Sequence, residues 1–352
     1  MSILVTGAAG FIGSNFVLDW FLHSDEDIVS LDLLTYAGNL KNLSSLDGNP
    51  HHHFVKGNIS DEKLIAHLFE KFQFRAVINF AAETHVDRSI HQASNFIDTN
   101  ISGTYKLLEA VRVYWNDLKK ELQKDFRFLH VSTDEVYGSL EKLDKPFSEI
   151  SRYDPNNPYS ASKASSDHLV RAWHYTYNLP TLITNCSNNY GPYQFPEKLI
   201  PLSIISALNG KPIPIYGDGK NIRDWLYVKD HCSAIRNILN NGSVGEVYNI
   251  GGSNEKTNLE VVRMLCDILD KIKPLKNGLS YSNQITFVKD RPGHDRRYAI
   301  NATKLKKNLK WKPSETFETG IKKTVEWYLE NPEWIKQALN DDYKNWVQKH
   351  YV

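Results

Sequence analysis

Cysteine is scarce in this chain. Cys186, Cys232 and Cys266 are the only three, far apart and without a CxxC pair. That argues against a disulfide frame or a thiolate zinc site and fits reduced thiols in the cytoplasm. Charge bias is missing too, with 42 Lys and Arg against 41 Asp and Glu and a formal net charge of +1. No global field therefore recruits nucleic acid or an anionic membrane. Long apolar runs are absent. The most apolar early stretch, FIGSNFVLDWFLH, is short and carries Asp19, so it reads as a helix packed on a core, not a membrane span. The opening MSILVTG already reads as a strand, which leaves no room for a signal peptide. Internal repeats and low-complexity tracts are not visible. The triplet His51, His52 and His53 reads as a solvated turn after Pro50. Three consecutive side chains diverge, and no other acid or histidine is spaced to complete a metal shell, so no metal is expected.

What is present is the composition of a globular protein: 352 residues, 41% hydrophobic and 24% charged, enough for one large domain or two ordinary ones. Short runs rich in Val and Ile (ILVTG, IVSLD, HFVKGNI, AVINFAA, FRFLHVS) alternate with helical patterns such as NFIDTNISGTYKLLEAVRVYW. The alternation predicts an α/β fold, a doubly wound, Rossmann-type parallel sheet with right-handed crossovers. After about residue 186 the texture turns to loops rich in Gly, Pro and Asn, while VGEVYNIGG reads as a strand that rejoins the first sheet. The expected division is a dinucleotide-binding domain of residues 1–186 plus about 223–252. A smaller, discontinuous, loop-rich α/β substrate domain takes about 187–222 plus 253–352.

The stretch TGAAGFIG follows the first strand and opens a helix, with Gly7, Gly10 and Gly13 in GxxGxxG spacing. Such glycines let the backbone turn tightly and approach a pyrophosphate, whose charge sits on the helix N–H groups, here with Phe11 and Ile12. Asp32 ends the second strand, where a carboxylate accepts from ribose hydroxyls and repels a 2′-phosphate. Leu33, Leu34 and Thr35 follow, with no arginine to welcome that phosphate, so NAD is favoured over NADP. Asn58 and Ile59 end the third strand, and Ala81, Ala82 and Glu83 end the fourth, where small residues allow close approach to the cofactor.

VSTDEVYG ends an interior strand in Thr133, Asp134 and Glu135. A hydroxyl followed by acids is a common helix start, the hydroxyl capping free N–H groups. It is also a way to set an acid beside a base. Two neighbouring carboxyls oppose double ionisation, which raises the apparent pKa of one of them. In YSASK, Tyr159 and Lys163 stand at i,i+4 on one helical face. A phenol titrates at about 10, and an ammonium ion nearby favours the phenolate, which makes the pair an acid–base couple.

With these residues in hand, the chain resembles the extended short-chain dehydrogenase/reductase family, and within it the branch that dehydrates nucleotide sugars. The likeness runs over nearly the whole length, through GAAGFIGSNF, LDLLTYAGNL, AAETHVDRSI, STDEVYG, YSASKA, CSNNYGPYQFPEKLIP, PIPIYGDGKNIRDWLYV, YNIGG and DRPGHDRRYAI. The resemblance implies a hydro-lyase acting on dTDP-glucose with tightly bound NAD that is not consumed. Tyr159 takes the proton of the sugar 4-hydroxyl as hydride leaves C4. Glu135 removes the C5 proton, Asp134 protonates the departing 6-hydroxyl, and hydride returns to C6. Thr133 binds the 4-oxygen, and Lys163 holds the ribose and lowers the tyrosine pKa. The resemblance further implies Thr99 and Asn189 at the cofactor. At the nucleotide sugar it implies Thr84, Asn188, Lys198, Leu199, Ile200, Pro214, Ile215, Tyr216, Arg223, Asn258, Asp290, Arg291, Pro292, Gly293 and His294. Arg223 and Arg291 suit a diphosphate, although each stands next to an Asp that an ordinary salt bridge would use. Asn58 replaces the family's usual Asp and Thr84 its usual Ser. A homodimer is implied, packed through two long helices; the helix at 96–115 has an apolar stripe that serves either a partner or the sheet. Dehydratases of UDP-, CDP- or GDP-sugars and, less well, nucleotide-sugar 4-epimerases remain as alternatives; an epimerase has no use for the two acids after Thr133.

Overall fold

The computed structural model describes residues 1–339. Its strands are β1 (Ser2–Thr6), β2 (Ile28–Asp32), β3 (His52–Lys56), β4 (Phe74–Asn79), β5 (Arg127–Thr133), β6 (Thr181–Cys186), β7 (Asn188–Tyr190), β8 (Ile213–Tyr216), β9 (Ile222–Tyr227), β10 (Val247–Ile250), β11 (Glu255–Thr257) and β12 (Ile285–Val288). Seven of them form one parallel sheet in the order β10-β6-β5-β4-β1-β2-β3. The predicted doubly wound sheet is therefore present, and the VGEVYNIGG strand does rejoin it as β10. Strand order reverses between β1 and β4, and a crevice opens there beyond the carboxyl ends. β1, β2 and β6 are buried along their whole length because helices cover both faces. Ile3, Val5, Ile78 and Leu129 pack on one face and Leu4, Val29, Val77 and Phe128 on the other, the two-residue period of a strand.

A second core gathers Ile204, Ile215, Leu265, Phe317, Ile321 and Tyr328 around the parallel pair β8–β12 and the three-stranded sheet β11-β9-β7. The expected boundary at 223 falls inside β9. This strand is shared: Trp225 and Tyr227 point into the second core and Leu226 into the first. The chain returns to the large sheet only with the helix Val228–Asn241, which lies on the helix Phe11–Phe21. Residues 303–311 return as well, placing Leu305 and Trp311 in the first core.

Two local readings change. His52 and His53 are not in a turn but begin β3, paired with Ile28 and Val29, and His52 Nε2 lies 3.0 Å from Ser30 Oγ. An edge strand accepts such polar residues because one side of it faces water. The stripe on 96–115 belongs to the sheet side, where Leu107, Leu108 and Val111 are buried, while Phe96 packs with Val86 and Tyr159. That helical run is interrupted by a π-helical stretch at Ile97–Gly103. Among the described residues, no helix is long and apolar enough to cross a membrane.

Candidate active site

A cleft of about 300 Å³ lies at the carboxyl ends of β1, β2, β4, β5 and β6. Its floor is the β1 turn. Gly7 has φ of +65°, and a Cβ there would stand 2.7 Å from Ala81 N; at Gly13 it would stand 2.2 Å from Gly7 O. The helix that starts at Phe11 has Gly10 as its N-cap and no side-chain cap, so its first N–H groups remain available. Asp32 closes one end. Its carboxylate accepts from Ala9 N–H at 2.9 Å and from Leu34 N–H at 2.8 Å. Leu34 reaches back through a left-handed φ of +57° and does not line the cleft. Burial raises the Asp32 pKa, and these backbone donors oppose it. Gly10, Phe11, Ile12, Leu33, Thr35, Asn58, Ile59, Ala81, Ala82, Glu83, Thr99 and Asn189 line the same space. Asn58 Oδ1 already receives Ser60 N–H at 2.9 Å. Asn100 ties Glu83 to the π-helical stretch through both its N–H and its carbonyl. A glycine cradle that side chains would fill, open helix donors and a carboxylate one strand over fit a dinucleotide without a 2′-phosphate.

Thr133 caps a 3₁₀ turn over Asp134–Tyr137 and accepts Glu135 N–H at 3.3 Å. The cap and the paired acids are thus one structure. Asp134 is 1% exposed, and both Asp134 Oδ2 and Glu135 Oε2 are buried with no hydrogen-bond partner among the described residues. Their surroundings differ in sign. Asp134 is pushed well above the carboxylate range by burial, then by Glu135 and Asp224. Glu135 is raised by burial but opposed by Arg291, Arg223 and Lys198. The balance differs: anions outweigh Arg223 around Asp134, whereas three cations outweigh Asp295 around Glu135.

The helix Pro158–Tyr177 begins with a capping box between Asn157 and Ser160, which fixes the first turn and with it Tyr159. Tyr159 and Lys163 both line the cleft. Their expected coupling is not what the structure shows. Burial, Glu135 and Cys186 push the phenol well above its ordinary value, with a hydrogen bond from Thr133 in opposition. Lys163 Nζ donates instead to Val131 O at 2.8 Å.

Thr84, Asn188 and Lys198 reach the same cleft, Lys198 Nζ donating to Thr84 O at 3.0 Å. Ile200 and Ile215 do not: their side chains are sealed in the second core, with Leu199 packed against it. Pro214 and Tyr216 alternate with Ile215 and are half-buried. Arg223 is buried, donates to the carbonyls of Ile222 and Asp295 at 2.7 and 2.9 Å, and stacks 4.4 Å from the Tyr298 ring. Arg291 pairs with Asp87 at 3.0 Å, so neither arginine uses the adjacent Asp for its guanidinium. Asp290 instead accepts Arg291 N–H at 2.9 Å and meets His294 Nδ1 at 2.6 Å. Burial and Arg291 hold His294 down to about 4. Pro292 and Gly293 are exposed in that loop, and Asn258 opens the helix after β11.

Sequence reasoning missed several lining groups. Glu197, at the cleft wall, meets Tyr36 at 3.1 Å and Arg88 at 3.3 Å. Phe80, Gly38, Cys186 and Gln194 also line it. Only Glu197 carried a usable signal, an acid directly before Lys198.

The family model described as GDP-mannose 4,6 dehydratase matches residues 4–324. A curated dTDP-glucose 4,6-dehydratase of Xanthomonas campestris pv. campestris is 59% identical over 341 residues, 97% of each chain. The crystal structure of a dTDP-glucose 4,6-dehydratase from Bacillus anthracis in complex with NAD aligns with a TM-score of 0.85 at 49% identity, covering 96% of this chain and 99% of the other. One from Streptomyces venezuelae, with NAD bound, aligns at 0.87 and 43%, covering 96% and 100%. With these likenesses spanning both cores and the cleft between them, the chain belongs to the dTDP-glucose 4,6-dehydratase family.

Proposed function

We propose that the chain converts dTDP-glucose to dTDP-4-keto-6-deoxy-glucose, a step of dTDP-rhamnose or related deoxysugar synthesis, in the cytoplasm and as a homodimer. The observation that carries this reading is the pair of consecutive buried acids that line the cleft with Tyr159, each with an unpartnered oxygen, Asp134 raised further by mainly anionic neighbours and Glu135 drawn back by three cations. Loss of water from adjacent carbons needs one proton donor and one proton acceptor at the same pH.

The Gly7–Gly13 turn, Asp32 and the lining of the cleft would hold NAD. When bound, NAD supplies a hydride acceptor and donor for the sugar, and the positive charge of its oxidised form favours the Tyr159 phenolate. Tyr159, hydrogen-bonded to Thr133, then takes the 4-hydroxyl proton. Glu135 removes the C5 proton once C4 is a ketone. Asp134 gives its proton to the 6-hydroxyl, which leaves as water. Lys163 supports the cofactor ribose. Arg223, Arg291, Asn188, Asn258, Tyr216 and His294 would surround the nucleotide diphosphate; Ile200 and Ile215 could reach it only through backbone. Ile97, Tyr105 and Val113 on one helical run and Tyr175 and Tyr177 on another are exposed, which supports a partner contact there.

The test is turnover of dTDP-glucose by purified protein without added NADH, followed by the alkali-induced ultraviolet absorbance of a 4-keto-6-deoxy product. Turnover of UDP-glucose with silence on dTDP-glucose would reassign the substrate.

A further inference from the structure

Beneath Lys163 lies a buried polar cluster for which the dehydration itself has no use. His130 and Asp167 are both 0% exposed, between the large sheet and the helix that carries Tyr159. Lys163 Nζ stands 3.4 Å from His130 Nε2, and that nitrogen stands 3.5 Å from Asp167 Oδ1. The other carboxylate oxygen, Oδ2, accepts from Ser132 Oγ at 2.9 Å, Tyr153 Oη at 3.0 Å and Asn185 Nδ2 at 3.3 Å. Burial raises the Asp167 carboxyl to about 6, and Lys163 and these three donors oppose that rise and favour the anion. Three charged or buried neighbours of this kind are costly in a dry interior unless they serve one another.

The proton on the imidazole can be placed. Asn79 Oδ1 accepts from Thr6 Oγ1 at 2.6 Å, which turns the Asn79 amide nitrogen toward His130 Nδ1 at 3.2 Å. Nδ1 is then an acceptor, and the neutral ring carries its hydrogen on Nε2, which stands 3.5 Å from Asp167 Oδ1, an oxygen with no hydrogen-bond partner among the described residues. An Nε2–H cannot accept from the ammonium. The ring therefore stands between Lys163 and Asp167 as a neutral wedge. The two charges attract across it without collapsing into a contact pair, and the ammonium stays at the cleft.

We propose that Asp167, acting across His130, is a positioning residue that keeps Lys163 charged and directed at the cleft. The inference rests on the proposed role of Lys163 beside the cofactor. Other titratable groups near Lys163 are Tyr159 one turn earlier on the helix, Cys186 on β6 and Asp134 past the end of β5; none of them is a cation. Burial alone pulls the Lys163 amine down, and Asp167 is the foremost group that pulls it back, leaving it at about 8.

The experiment labels the holoenzyme with a small amine-acylating reagent across a pH series and reads Lys163 by peptide mass spectrometry, alongside the pH dependence of kcat. Asp167→Asn should move the labelling midpoint down by about one to three pH units, the span typical for losing an opposite charge. The alkaline limb of kcat should move with it, so that activity is retained at low pH and lost earlier on raising it. Tyr153→Phe removes one donor from the carboxylate at its outer side and should give a smaller shift of the same sign. If Asp167→Asn does not fold, that variant decides. An unmoved midpoint in a folded variant overturns the proposal, as does a loss of kcat equal at every pH. A shifted midpoint in protein inactive on dTDP-glucose would leave this role standing and remove the proposed reaction.

Discussion

A neutral acid beside an ionised one requires two surroundings for two consecutive residues. The turn after Thr133 supplies them: Asp134 feels Glu135 and Asp224 more than Arg223, while Glu135 feels Arg291, Arg223 and Lys198. Glu135 must be ionised to act, and burial raises its pKa, so activity should fall as pH drops through a value above the ordinary glutamate figure of about 4.3. Arg291→Met removes one opposing cation and should move that acid limb upward in a kcat–pH profile; a limb unmoved by this change would separate Arg291 from Glu135. At this scale the sequence placed in one cleft the residues that lay within a few consecutive positions, as in Gly7–Gly13, Thr133–Glu135 and Tyr159–Lys163, although the expected effect of Lys163 on the phenol is not seen. It missed Glu197 and Asp167, whose partners are distant in the chain. Arg223 shows how little adjacency decides: Asp224 is its neighbour in sequence, but side chains alternate along β9 and the guanidinium meets Asp295 O instead.

Elements set those residues. The helix Pro158–Tyr177 owes its starting point to Pro158 at the first position and to the reciprocal bonds of Asn157 and Ser160. Asn157→Ala should cost about 1 kcal/mol of stability, read as a lower urea midpoint, and should reduce kcat because Tyr159 sits in the freed first turn. The parallel strands were legible because strands buried on both faces read as continuous Val- and Ile-rich runs. β3 was less so at its start, since the pairing that draws His52 and His53 into the sheet comes from β2 and not from their own propensity. β9 misled for a related reason, serving two cores with its two faces.

At the scale of the molecule, two cores meet over one cleft, and β9 with loops of the second bring Arg223, Lys198 and Arg291 near acids held by the first. The outline of this arrangement could be read from the change of texture after residue 186. Its boundaries could not, because β9 and residues 303–311 pack by contacts that composition does not reveal. Exposed Val113 and Tyr175 belong to the face proposed for the partner. Val113→Glu combined with Tyr175→Glu should sediment as a single chain of 40.4 kDa while remaining folded; an unchanged dimer would place the contact elsewhere.

The division of labour between the two acids is the point on which the account turns, and the rate of keto-deoxy product formation by Asp134→Asn and Glu135→Gln addresses it most directly. Each variant should lose roughly 10²–10⁴-fold in kcat, the usual contribution of one positioned acid or base, with KM for dTDP-glucose changed little. Product formation at the unaltered rate in either variant would contradict the assignment.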